Sequence, residues 1–165
     1  MKKIVISLMA ILVILIGGLV FATAGKFNIY TDTPHVNYDE VLDDPTTPTI
    51  YYYYQDTCHF CNSIKDQVTD LYFATEASDK VNLVLVDMKS SANANAWTSD
   101  PTYDPQNVDV TDAKNIQVTG TPTMAYVEDG KLAEYEVGSD VFTLMENINQ
   151  QFELGLTFDP SRYGK

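Results

Sequence analysis

The feature that most constrains this chain is a six-residue run, Thr49-Ile50-Tyr51-Tyr52-Tyr53-Tyr54, which leads within three residues into Cys58-His59-Phe60-Cys61. A strand of β-branched and aromatic residues with no polar alternation is one covered on both faces. Some of its tyrosine hydroxyls then need buried partners or a route to water. Beyond the cysteines, Ile64, Val68, Leu71, Tyr72 and Thr75 recur at helical spacing, which predicts a helix running to about residue 77. A second buried strand is predicted over 81–86, followed by a polar stretch, 88–110, that carries Trp97 and Tyr103. A short helix is expected over 111–116, with Asp109 or Thr111 as its cap. A strand over 123–127, a Glu128-Asp129-Gly130 turn and a strand over 131–137 read as a hairpin. Gly138 ends it, and Val141, Leu144, Met145, Ile148 and Phe152 mark a closing amphipathic helix. Residues 26–48 read as a lead-in packed on the domain, with a short helical stretch around 38–42. This order defines an α/β fold in which a central mixed sheet, one βαβ unit plus an edge hairpin, is flanked by helices.

The first 25 residues are of a different kind. Lys2 and Lys3 precede an uncharged run over residues 4–24, and its 21 residues approach the roughly 20 that cross about 30 Å of hydrocarbon as a helix. A cleaved signal peptide has a shorter apolar core, about 7–15 residues, so the length favours an uncleaved membrane anchor. Ala22-Thr23-Ala24 nevertheless fits the small-x-small pattern of a cleavage site, and cleavage after Ala24 would give a secreted domain. Either way the lysines stay in the cytoplasm and the remainder is placed on the extracytoplasmic side. The expected organisation is 1–25 anchor or signal, 26–48 lead-in and 49–165 folded domain. Without Lys2 and Lys3, eight basic residues face 23 acidic ones, a formal charge of −15. Such a body repels phosphate backbones and anionic headgroups, which excludes nucleic acid as a partner.

Cys58 and Cys61 are the only cysteines in the 165 residues. At i and i+3 on a first helical turn, their Cα atoms fall inside the 4.4–6.8 Å that a disulfide requires. So small a ring removes little entropy from the unfolded chain, which makes stabilisation a poor reason for the pair. Chemistry is a better one. A helix N-terminus offers unpaired N–H groups and about half a positive charge, which stabilise a thiolate on Cys58 and lower its pKa. Cys61, one turn in, is placed to attack a mixed disulfide formed by Cys58. An inert disulfide of an exported protein is the structural alternative. A zinc site is the third, but it needs three or four ligands and only His35 and His59 remain as nitrogen donors.

The strand before Cys58-His59-Phe60-Cys61, the helix after it, and Gly120-Thr121-Pro122-Thr123 opening a hairpin resemble the thioredoxin superfamily, over about residues 49–152. The resemblance implies a thioredoxin-like fold, here preceded by one N-terminal transmembrane helix, and thiol–disulfide oxidoreductase activity with Cys58 and Cys61 as the catalytic pair. It implies that Pro122 is cis and lies against the cysteines, with Thr121 facing substrate. No organic cofactor or metal is implied. The partners implied are cysteine-containing exported proteins or peptides and a separate redox partner. The chain is similar to small exported thioredoxin-like proteins of bacteria, including bacteriocin transport accessory proteins. The alternative is a non-enzymatic binding or secretion-accessory module that keeps the fold and an inert disulfide.

Several positions depart from the family pattern. The buried acidic residue six positions before the first cysteine is replaced by Tyr52, with Asp56 as a possible substitute or a solvated carboxylate. The Trp before the first cysteine is replaced by Thr57. The dipeptide His59-Phe60 is neither Pro-His nor Gly-Pro. His59 supports the Cys58 thiolate when protonated, or projects into solvent. Phe60 is expected to contact substrate rather than core. Trp97 and Tyr103 either line a substrate groove or pin the 88–110 segment to the body, and pinning is the expectation.

Overall fold

Strand β1 (Thr49–Tyr54) is buried along its whole length and is an inner strand of a four-stranded sheet. The sheet was obtained as a computed structural model that describes residues 26–43, 47–100, 102–103, 110 and 112–165. The expected membrane-crossing segment, residues 4–24, lies outside the described residues, as do Asp109 and Thr111, the two expected caps. Among the described residues no helix is long and apolar enough to cross a membrane.

Strand β2 (Asn82–Asp87) runs parallel to β1, while β3 (Thr123–Glu128) lies antiparallel on its other side. Strand β4 (Lys131–Val137) closes the order β2-β1-β3-β4 as the antiparallel partner of β3. The β3–β4 turn places Asp129 and Gly130 at φ +52° and +71°, the left-handed pair a tight two-residue hairpin requires.

Because successive side chains of a strand point to opposite faces, β1 sends Ile50, Tyr52 and Tyr54 one way and Tyr51 and Tyr53 the other. The first face is covered by helices. These are α1 (Ile29–Asp32), α2 (His59–Ser78) and α3 (Val141–Phe152). Ile29 from α1, Ile64 and Leu71 from α2, and Leu144 and Ile148 from α3 are all fully buried there. The lead-in is thus part of the core, and it also bridges β2 through His35 and Leu85.

The second face is covered, among the described residues, without an α-helix. Tyr51, Tyr53, Val86 and Ala125 pack against Val41 of the lead-in and against Met88, Ala96, Ile116 and Val118. The backbone of this cover is irregular, with 3-10 turns at Ser91–Ala96 and Ala113–Asn115. The helix expected over 111–116 is therefore only a three-residue turn, capped by Asp112, whose side chain accepts from the Lys114 N–H. The 38–42 stretch is likewise a 3-10 turn, Tyr38–Glu40. Helices this short gain too few hydrogen bonds to offset nucleation, so side-chain anchoring sets the backbone instead. The anchors are visible. Buried Asn93 accepts from the Tyr38 N–H and donates to the Asp87 carbonyl, tying the lead-in to the segment after β2.

Candidate active site

At the C-terminal end of β1 the chain turns through Gln55, whose carbonyl accepts from the Cys58 N–H, and enters α2. Cys58 is the N-cap. Its backbone is extended (φ −72°, ψ 118°) and its Sγ accepts the Cys61 N–H at 3.1 Å. A cap is normally an oxygen side chain that satisfies one of the free N–H groups of the first turn, and here sulfur takes that place. The two cysteines are joined as a disulfide with Cα atoms 5.2 Å apart. They are not equivalent: Cys58 is half-buried and Cys61 is fully buried.

The Thr121–Pro122 bond is cis, and the Thr121 carbonyl oxygen lies 3.3 Å from Cys58 Sγ. Thr123 Oγ1 donates to the Gly120 carbonyl, and the Gly138 N–H donates to the Pro122 carbonyl. The bend at the start of β3 is thus held from both sides against the sulfur. Cys58, Cys61, Thr121 and Pro122 come together although Cys58 and Thr121 are 63 positions apart in sequence.

His59 is exposed, the second of its two expected positions, and its imidazole also meets the end of the chain. Its Nε2 lies 2.9 Å from the Gly164 carbonyl oxygen, which can only accept, so Nε2 carries the proton. Phe60 is 44% exposed, but one face of its ring is stacked on Tyr163. The covering segment, residues 159–165, follows the last helix, and no motif or periodicity marks it in the sequence.

Tyr52, in place of the family's carboxylate, is fully buried on the helical face. Its hydroxyl interacts electrostatically with Tyr30 without meeting hydrogen-bond geometry, and burial pushes its pKa well above the usual phenol value. The Tyr30 hydroxyl donates to the Cys61 carbonyl, and burial raises its pKa to about 12. Tyr54 continues this aromatic layer, stacked on Tyr30 at 4.2 Å, with its hydroxyl 2.8 Å from His35 Nε2. Asp56 is no substitute base. Both its oxygens bind Lys89 Nζ, at 2.8 and 3.2 Å, and that bond holds its carboxyl below the usual range. Trp97 and Tyr103 are pins. The Trp97 indole donates to the Met88 carbonyl, while the Tyr103 hydroxyl accepts from the Gln117 N–H and donates to the Asn115 carbonyl.

A four-stranded mixed sheet that presents a C-x-x-C pair at a helix N-terminus against a cis-proline bend defines a thioredoxin-like domain. Residues 41–143 match the thioredoxin-like domain family, and the chain belongs to it. Among solved structures it is similar to thioredoxin f2 of Chlamydomonas reinhardtii, with 16% identity, TM-score 0.50, and 72% of this chain and 94% of that one covered. It is also similar to oxidised thioredoxin O2 of Arabidopsis thaliana (16% identity, TM-score 0.51, 76% and 99% covered). Spinach chloroplast thioredoxin f gives 17% identity, TM-score 0.50, and 73% and 92% covered. At these identities the likeness establishes the fold. No curated protein matches in sequence. The family and the cysteine pair at disulfide distance support a thiol–disulfide oxidoreductase at a general level.

Proposed function

We propose that the protein is an extracytoplasmic thiol–disulfide oxidoreductase, held at the membrane by residues 4–24, that exchanges disulfides with exported cysteine-containing proteins or peptides. The observation that carries this reading is the asymmetry of the pair. Cys58 is solvent-accessible and its sulfur takes an N–H of the helix N-terminus, whereas Cys61 is sealed one turn below. In the reduced protein, the Cys58 thiolate attacks a partner disulfide. One partner sulfur bonds to Cys58 and the other leaves as a thiolate. Cys61 then loses its proton and attacks Cys58 Sγ, closing the intramolecular disulfide and releasing the second partner thiol. The partner gains two electrons and the C-x-x-C pair loses them. Microscopic reversal oxidises a partner dithiol. The Thr121 backbone beside Cys58 holds the partner chain, and Phe60 offers it an apolar contact.

The test is to replace Cys61 with Ala in the full chain and isolate mixed disulfides on Cys58 from the native envelope. Trapped extracytoplasmic proteins support the reading. An empty trap, with a wild-type pair whose reduction potential lies below about −300 mV, would make the disulfide an inert staple.

A further inference from the structure

The segment after α3 returns along α2 to the His59-Phe60 dipeptide, and the exchange steps above make no use of it. It meets α2 at Gln67, whose side-chain amide accepts from Asp159 N at 2.5 Å and donates to Asp159 O at 3.2 Å. Arg162 then pairs with Asp66, Ser63 Oγ accepts the Gly164 N–H at 2.8 Å, and His59 donates to the Gly164 carbonyl. His59, Ser63, Asp66 and Gln67 share one face of α2, so that face serves as a dock for the returning chain. Gly164 sits at φ +75°, where a Cβ would meet the Phe60 ring at 2.9 Å, so the approach depends on glycine.

Tyr163 is what this docking positions. Its ring stacks on Phe60 with centroids 4.7 Å apart and planes at 13°. Its hydroxyl lies 3.3 Å from where a Cβ on Gly138 would stand, and Gly138 is bonded to Pro122. Tyr163 therefore spans from Phe60 of the C-x-x-C dipeptide to Gly138, which is bonded to the cis-proline, while Cys58 between these two motifs stays half-exposed.

We propose that Tyr163, held by the 159–165 strap, is a specificity-determining wall that admits disulfides on small or extended partners to Cys58 and excludes disulfides on folded protein surfaces. The inference rests on the exchange reading above. Forming the mixed disulfide brings the partner Cα within about 4.4–6.8 Å of Cys58 Cα. A folded partner carries neighbouring elements to both flanks of the sulfur at that distance, and the Tyr163 ring already fills one. An extended segment carries its neighbours along a single line and fits the open flank.

The experiment measures second-order rates of mixed-disulfide formation at Cys58 in the full chain with Cys61→Ala, using oxidised glutathione and insulin as the two disulfides. Adding Tyr163→Ala is expected to raise the insulin-to-glutathione rate ratio at least fivefold, with the glutathione rate changed less than twofold. Tyr163→Phe keeps the ring and is expected to keep the parent ratio. Ser63→Ala, which frees the Gly164 N–H, is expected to raise the ratio in the same direction and decides the matter if Tyr163→Ala fails to fold. An unchanged ratio in the folded variants overturns the proposal. A lowered ratio also overturns it, because it makes Tyr163 a docking contact. A parent that reacts with neither disulfide refutes the exchange reading instead.

Discussion

In the reduced protein with Cys61 replaced by Ala, the Cys58 thiol should titrate well below the value of a free cysteine. Two contributions follow from its position as the N-cap of α2. A hydrogen bond from the residue 61 N–H to a charged sulfur stabilises the thiolate by about 1.5–3 kcal/mol. The dipole of a twenty-residue helix adds about 0.3–1 kcal/mol at its first turn. Partial burial and the acidic surface oppose them, while Asp56, two positions before Cys58, is paired with Lys89. The two favourable contributions together reach about 2–4 kcal/mol before that opposition, so the thiol should titrate below the ordinary cysteine value of about 8.5. Thiolate absorbance at 240 nm and the pH profile of iodoacetamide alkylation both report the midpoint. His59→Ala should move it by less than about 0.5 unit, since the imidazole is bound to the Gly164 carbonyl. A midpoint at or above 8.5 would refute the electrostatic argument and remove the main support for exchange chemistry.

Three further outcomes are expected. Tyr53→Phe removes a fully buried hydroxyl without a hydrogen-bond partner among the described residues and should stabilise the fold by about 1–2 kcal/mol in urea unfolding, whereas Tyr135→Phe loses the bond to the Gln117 carbonyl and should cost about 1 kcal/mol; a destabilised Tyr53→Phe would reveal a partner for that hydroxyl. Burial raises the folded-state pKa values of Tyr30, Tyr52 and Tyr53, so the stability they contribute is present in full below pH 10 and is lost as pH rises toward each folded value, by about 1.4 kcal/mol per unit for each phenol still protonated. Tyrosinate absorbance should then rise together with loss of the far-ultraviolet helix signal, and complete ionisation with an intact signal would contradict this. Finally, because neither Tyr52 nor Asp56 is a free base for Cys61, the mixed disulfide between Cys58 and glutathione should resolve about tenfold faster per pH unit between 6 and 8, and a flat profile would point to an internal base.

The sheet was legible because its signals are local and redundant. Thr49–Tyr54 has no polar break, so burial on both faces followed from the sequence, and the Gly-containing turn fixed the hairpin pairing at Lys131–Val137. The cover of the second sheet face was not legible as structure. Ala96, Val110, Ala113, Ile116 and Val118 reach the core from an irregular backbone, and anchoring of that kind leaves no period of 2 or 3.6 to read. At the site, the two cysteines were identifiable from their spacing, and the Thr121-Pro122 bend through the family resemblance. Tyr30, Tyr163 and Gly164 were not, because each acts through contacts more than thirty positions away. The Tyr52 substitution was visible in the sequence, but its consequence required knowing that the hydroxyl is sealed.

That consequence bears on which partners the site can serve. A carboxylate beneath the second cysteine would give its proton a destination inside the fold. The Tyr52 phenol, kept neutral by burial, cannot accept one at neutral pH, the Tyr30 hydroxyl is committed to the Cys61 carbonyl, and both Asp56 oxygens are held by Lys89. In the proposed exchange none of these three groups takes the Cys61 proton, which then leaves to solvent beside the flank that the proposed Tyr163 wall leaves open. A partner bulky enough to seal that flank would slow its own release, whereas an extended segment leaves water beside the pair. The absent carboxylate and the Tyr163 wall thus select the same class of partner, one at the step that forms the mixed disulfide and the other at the step that resolves it.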